Sequence, residues 1–228
     1  MKPNPLFCAV DTADLARACD LALAIAPHVG GLKLGLEFWN SFGAPGVAEV
    51  MARAPKLRLF LDLKLHDIPN TVAGAVRALE NVEFDILTVH ASGGADMMRA
   101  AKQAAPEHSA VVGVTVLTSM DDADLTAAGV ADTADAQVAR LAALAKESGL
   151  DGIVCSPREV EARRADWADG LFVVPGIRPT GADVGDQKRV MTPLEAMQAG
   201  AGLLVVGRPI TAASEPAAAA KAIAASLK

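Results

Sequence analysis

From Leu57 to Thr71 the chain reads Leu57-Arg58-Leu59-Phe60-Leu61-Asp62-Leu63-Lys64-Leu65-His66-Asp67-Ile68-Pro69-Asn70-Thr71. The apolar run Leu57 to Leu61 has the length of a strand, and Val72 to Leu79 behind it has helical spacing. The same pairing recurs along the sequence. Further apolar runs fall at Leu6 to Val10, Leu32 to Leu36, Ile86 to Val89, Val111 to Leu117, Gly152 to Cys155, Leu171 to Val174 and Leu203 to Val206. Several are continuously apolar, as parallel strands covered on both faces are. Leu15 to Ala26, Gln137 to Ser148 and Pro193 to Ala199 again have helical spacing. No Asn-Gly or Asp-Gly hairpin joins consecutive runs; Asp151-Gly152 and Asp169-Gly170 precede strands as turn signals. Parallel crossovers follow. Repeated strand-helix units predict an α/β fold, a single (β/α)8 TIM barrel over residues 1–228, with a doubly wound open sheet as the alternative. The longest connection, Thr118 to about Leu150, holds Asp121-Asp122-Ala123-Asp124, read either as the start of an extra helix or as a solvated cap. The Ala-rich tail, Ala212 to Ala225, reads as a closing helix begun near Ser214, Glu215 and Pro216.

Composition narrows the function classes. Of 228 residues, 52% are hydrophobic and 21% charged, enough apolar material to fold and too much for a disordered chain. Twenty-one Lys and Arg against 27 Asp and Glu leave a net charge of −6, which argues against general nucleic-acid binding but leaves room for a local phosphate pocket. Cys8, Cys19 and Cys155 are odd in number and scattered, suggesting packed free thiols rather than a disulfide framework or a metal site. The longest stretch without Asp, Glu, Lys or Arg, His108 to Met120, is too short for a membrane span, and Asp11 and Asp14 interrupt the place of a secretory signal. A cytoplasmic protein without membrane contact is expected.

Active sites of such barrels lie where the strands end at their C-terminal face. There the first run ends in Asp11, the second carries Lys33, and the third leads into Asp62, Lys64 and Asp67. In a regular strand Asp62 and Lys64 share a face, because side chains repeat every two residues. Buried among apolar neighbours they need partners, and Lys33 and Asp67 are the obvious ones. Such a network is either catalytic or a structural closure of the barrel mouth. After the seventh run comes Pro175-Gly176-Ile177-Arg178-Pro179, and after the eighth Gly207-Arg208-Pro209-Ile210. These are the loops in which barrels commonly hold phosphate. The polar Thr180 to Lys188 between them reads as a lid or as a plain surface loop. His66 is expected to be structural. His28, His90 and His108 form no metal-like spacing, and Trp39, Trp167, Met191 and Met197 read as packing.

Asp62 to Thr71 resembles the D-x-K-x-x-D-I-P-N-T motif of the orotidine 5′-phosphate decarboxylase family. The similarity extends along the chain, through Asp11, Lys33, Val116-Leu117-Thr118-Ser119-Met120, Pro175-Gly176-Ile177-Arg178-Pro179, Gly185-Asp186-Gln187 and Val206-Gly207-Arg208-Pro209-Ile210. The resemblance implies a carbon–carbon lyase that converts orotidine 5′-monophosphate to UMP without cofactor or metal. It implies that Lys64 stabilises and protonates a carbanion at C6, that Asp62 faces the substrate carboxylate, and that Lys33 and Asp67 complete the charge array. Asp11 and Thr71 would take ribose hydroxyls, with Ile68 beside them, and Thr118 and Ser119 the pyrimidine edge. Pro175, Gln187, Gly207 and Arg208 would line the phosphate end, with Arg178 supporting its loop. A homodimer with shared active sites is implied, Asp67 and Thr71 reaching into the neighbour. Two other readings compete. Magnesium-dependent sugar-phosphate enzymes of the same superfamily resemble one another in an acidic second-strand ligand where this chain has Lys33; a silent phosphate-binding barrel would be expected to lose Lys64 or an acid.

Overall fold

The computed structural model describes residues 4–178 and 191–227. Eight parallel strands close into a barrel in sequence order, with the last pairing back onto the first. They are β1 (Leu6–Ala9), β2 (Gly31–Leu34), β3 (Arg58–Leu65), β4 (Ile86–His90), β5 (Ala110–Val114), β6 (Gly152–Val154), β7 (Leu171–Val174) and β8 (Leu203–Val206). The helices between them are α1 (Leu15–Ile25), α2 (Leu36–Arg53), α3 (Pro69–Arg77), α4 (Ala95–Ala104), α5 (Asp122–Ala127), α6 (Ala134–Glu147), α7 (Val160–Asp166) and α8 (Pro193–Gln198). Two more, α9 (Arg208–Thr211) and α10 (Pro216–Ala225), follow β8.

Strand alternation sorts the apolar side chains into two sets. Phe7, Phe60, Ile86, Val112, Val173, Leu203 and Val205 cluster inside the barrel. Leu6, Cys8, Leu32, Leu34, Leu59, Leu61 and their counterparts pack outward against the helices. Room for Phe7 comes from Gly31 on the neighbouring strand, where a Cβ would lie 2.2 Å from the phenyl ring. The guanidinium of Arg58 sits 4.7 Å from the centre of that ring, a cation–π contact. All three cysteines are buried free thiols, and burial pushes the Cys8 thiol up to about 12.

Local sequence explains most boundaries. Pro69 opens α3 at a position where its missing N–H costs nothing. Asp121 and Asp124 cap α5 reciprocally, so the acidic run does start an extra helix. Pro216 opens α10, the expected closing helix. Other boundaries shift. The second strand stops at Leu34 rather than Leu36 because Gly35 starts α2, and that helix is broken at Gly43, with φ +55°, just before Pro45. The fifth strand ends at Val114 rather than Leu117, and the third continues to Leu65. Pro179, Gln187 and the expected lid from Thr180 to Lys188 lie outside the described residues. Among those described, no helix is long and apolar enough to cross a membrane.

Candidate active site

Four strands deliver charged or polar groups to one end of the barrel. The carboxylate of Asp62, 9% exposed, lies between two ammonium groups: Lys33 Nζ is 2.9 Å and Lys64 Nζ 2.7 Å from its Oδ2. Lys33 Nζ is also 3.5 Å from Asp11 Oδ2, just beyond β1. From β4, Thr88 donates its hydroxyl to Asp62 Oδ1 at 3.1 Å and accepts the backbone N–H of Lys64 at 2.9 Å.

Asp62 and Lys64 therefore meet as expected, but not through regular strand alternation. Pairing between β3 and β4 jumps from Leu61 opposite Leu87 to Leu65 opposite Val89, so four steps along one strand match two along the other. Lys64 lies in this irregularity with φ +48°, and it alone among the described non-glycine residues has positive φ. L-residues avoid that region unless their surroundings hold them there.

Asp11 has a second structural duty. Gly35, the N-cap of α2, has no side chain to offer, and Asp11 Oδ1 accepts the Phe38 N–H at 3.2 Å in its place. A Cβ at Gly35 would lie 2.1 Å from Asp11 Oδ2 and 3.0 Å from Lys33 Nζ, so glycine is required at this close approach.

The electrostatics follow from burial opposed by charge. Burial alone would raise the Asp62 carboxyl, but Lys33 and Lys64 overcome it and hold the group at about 2. Burial alone would likewise lower Lys33, and Asp62 with Asp11 instead lift it above the ordinary lysine value. Lys33 and Asp62 are thus both charged at neutral pH. His90 ends β4 with its ring 5.4 Å from that of His66. Burial, then His66 and Lys64, hold His90 below the ordinary imidazole value against the opposing pull of Asp62.

Above the charged groups opens a cavity of about 180 Å³, lined by Lys33, Phe60, Asp62, Lys64, Thr118 and Pro175 among others. Ser119 is exposed beside Thr118. Gly207 and the exposed Arg208 begin α9 directly after β8. Arg178, 9% exposed, donates from Nη1 to the Ile177 carbonyl at 3.0 Å. Asp67 is different. Its Oδ1 accepts the Ile68 N–H at 2.6 Å and it forms no ion pair with Lys33 or Lys64 of the same chain, contrary to the pairing expected from sequence. His66 to Thr71 are all exposed, Ile68 by 66%. Thr88 and Gly35 were not singled out by sequence reasoning. The available signals were a lone hydroxyl in the apolar β4 run and a glycine two residues after Lys33.

The depressed Asp62 carboxyl stabilises the fold above its unfolded value near 3.8, and this contribution is lost as pH falls through about 2. The displacement corresponds to about 2 kcal/mol. Asp62→Asn is expected to lose at least that much at pH 7 in urea unfolding. The gap from the wild type is expected to narrow below pH 4, and a gap constant from pH 7 to pH 3 would contradict the charge assignment.

The model of the Orotidine 5'-phosphate decarboxylase / HUMPS family matches residues 4–223. A protein of Novosphingobium aromaticivorans named orotidine 5'-phosphate decarboxylase is 55% identical over 224 residues, spanning 98% of this chain and 99% of its own. One of the same name from Thermobifida fusca is 52% identical over 225 residues, spanning 98% and 96%. The crystal structure of orotidine 5'-phosphate decarboxylase from Lactobacillus acidophilus aligns with TM-score 0.86 at 34% identity, covering 99% of both chains. That from Pyrococcus horikoshii OT3, at 23% identity and TM-score 0.78, shares the fold. With a family model spanning almost the whole sequence and relatives identical at more than half of their aligned positions, the chain belongs to the orotidine 5'-phosphate decarboxylase / HUMPS family.

Proposed function

We propose that this chain decarboxylates orotidine 5′-phosphate to UMP, without cofactor, in the cavity at the C-terminal end of its barrel. The observation that carries this reading is the buried Asp62 carboxylate held between the Lys33 and Lys64 ammonium groups at the cavity wall. Breaking the bond from C6 to the carboxylate releases CO2 and leaves an electron pair on C6 that the ring cannot delocalise. A cation already in place beside C6 favours negative charge concentrated on that carbon more than the same charge spread over the carboxylate of the ground state. Lys64 then gives a proton from Nζ to C6 and recovers one from solvent. Asp62, ionised at any pH well above 2, repels the substrate carboxylate and keeps both ammonium groups in place.

The remaining roles follow the cavity outward. Thr118 and Ser119 bind the pyrimidine edge and Asp11 the ribose. Pro175, Gln187, Gly207 and Arg208 hold the phosphate, with Arg178 bracing the loop after β7. The exposed Asp67, Ile68 and Thr71 complete the site of a second copy, so the working unit is a homodimer of one-domain chains. Three buried free thiols accord with a reducing cytoplasm.

The magnesium-dependent sugar-phosphate chemistry of the same superfamily is disfavoured by Lys33. Its ammonium lies within 3.5 Å of both Asp11 and Asp62, pairing with the carboxylates a divalent cation would need. Among the described residues no group of three His, Cys, Asp or Glu is arranged to hold a metal.

Purified protein mixed with orotidine 5′-phosphate in the presence of EDTA is expected to consume the orotate chromophore. Activity lost to EDTA and restored by magnesium would favour the sugar-phosphate reading. Lys64→Ala is expected to keep less than about a hundredth of wild-type kcat, since a positioned general acid alone supplies roughly 10² to 10⁴ in rate. Arg208→Ala is expected to weaken phosphate binding by about 1.5–3 kcal/mol, the scale of a hydrogen bond to a charged group. An unchanged kcat/KM would remove Arg208 from the site. Mixing inactive Lys64→Ala with inactive Asp67→Ala is expected to restore activity through heterodimers that contain one intact site. No restoration after subunit exchange would mean that Asp67 acts within its own chain.

A further inference from the structure

Thr88 stands at the centre of the irregularity that shapes the site. It is fully buried on β4, and its one hydroxyl makes two contacts: it accepts the Lys64 N–H at 2.9 Å and donates to Asp62 Oδ1 at 3.1 Å. A hydroxyl can serve both, having one donor and two lone pairs. In a regular parallel ladder the Lys64 N–H would find a carbonyl on the neighbouring strand. The register jump between Leu61 and Leu65 interrupts that ladder, and the Thr88 hydroxyl receives the N–H instead. The segment it holds is the one in which Lys64 adopts φ +48°. Its other bond occupies Asp62 Oδ1, leaving Oδ2 to face both ammonium groups.

We propose that Thr88 is a positioning residue: by bonding the Lys64 backbone and the Asp62 carboxylate together, its hydroxyl aims the Lys64 ammonium. This rests on the reading of Lys64 as the proton donor. Thr88 does not border the cavity, so it acts only through the residues it holds. Small displacements of a reacting group are costly in rate while remote binding contacts are untouched. The signature of positioning is therefore a fall in kcat without a matching fall in affinity.

The test compares Thr88→Val, which keeps the shape and removes the hydroxyl, with Thr88→Ser, which keeps the hydroxyl. Lys64→Ala is the reference for a lost donor. Thr88→Val is expected to lower kcat by about 10- to 100-fold while its affinity for UMP, measured by calorimetry, stays within about threefold of wild type. Thr88→Ser is expected to remain close to wild type in both. Amide exchange at Lys64 is expected to accelerate in Thr88→Val and not in Thr88→Ser. Wild-type kcat in Thr88→Val overturns the proposal, as does an equal loss in Thr88→Ser, which would mark packing rather than hydrogen bonding. A loss of UMP affinity parallel to kcat overturns it too, by indicating collapse of the site. Should Thr88→Val fail to fold, Thr88→Cys, with its weak thiol donor, is expected to fall between Ser and wild-type-like behaviour on one side and the Lys64→Ala loss on the other; a Thr88→Cys rate equal to that of Thr88→Ser would count against the hydroxyl. If Lys64→Ala stays active, the reading of Lys64 fails and the positioning role with it. If Lys64→Ala is dead and Thr88→Val fully active, the positioning role alone fails.

Discussion

A buried carboxylate shared by two ammonium groups is the constraint around which the mouth of this barrel is arranged. Removing Asp62 from water is unfavourable unless its charge is compensated, and Lys33 and Lys64 compensate it at 2.9 and 2.7 Å. Replacing such a network with apolar residues would often serve stability as well or better. Its presence at the open end of a barrel, bordering a cavity, thus accords with a role in chemistry.

Accommodating that network reaches into the surrounding backbone. Lys64 takes a left-handed conformation, β3 slips against β4, and Thr88 receives an N–H that the ladder no longer serves. On the other side Asp11 both faces Lys33 and caps α2, which leaves no room for a side chain at Gly35. Strain concentrated at a site is expected where side-chain direction matters more than local backbone preference. The rest of the barrel, with Phe7 and Phe60 filling its interior, is regular enough to hold that strain in place.

Charge is distributed to match. The chain is acidic overall, at −6, yet Lys33, Lys64 and Arg208 lie at one end of the barrel. The proposed substrate, with its carboxylate and phosphate, would find cationic partners there. Asp62 is the exception, and its position between two lysines keeps it ionised. The exposed His66 to Thr71 segment lies next to these groups in sequence but turns outward, and Ile68 exposes a large apolar side chain there.

By itself, the sequence determined the barrel, because eight apolar runs separated by helical segments leave few ways to bury both faces of a parallel sheet. It also placed Asp11, Lys33, Asp62 and Lys64 toward strand ends and marked α10 through Pro216, while the acidic run that became α5 read equally as a solvated cap. Strand alternation brought Asp62 and Lys64 together on paper, but the fold achieves their contact through a register jump and a positive φ, which no period-two pattern contains. Thr88 was a hydroxyl in an apolar run until β4 set it against that irregularity, and Gly35 was one position of the apolar run Leu32 to Leu36 until Asp11 came within reach. Asp67 belonged to the same motif, yet tertiary structure turned it to solvent. Local pattern states which residues lie near the end of a strand; which of them touch depends on how neighbouring strands, distant in sequence, are registered in space.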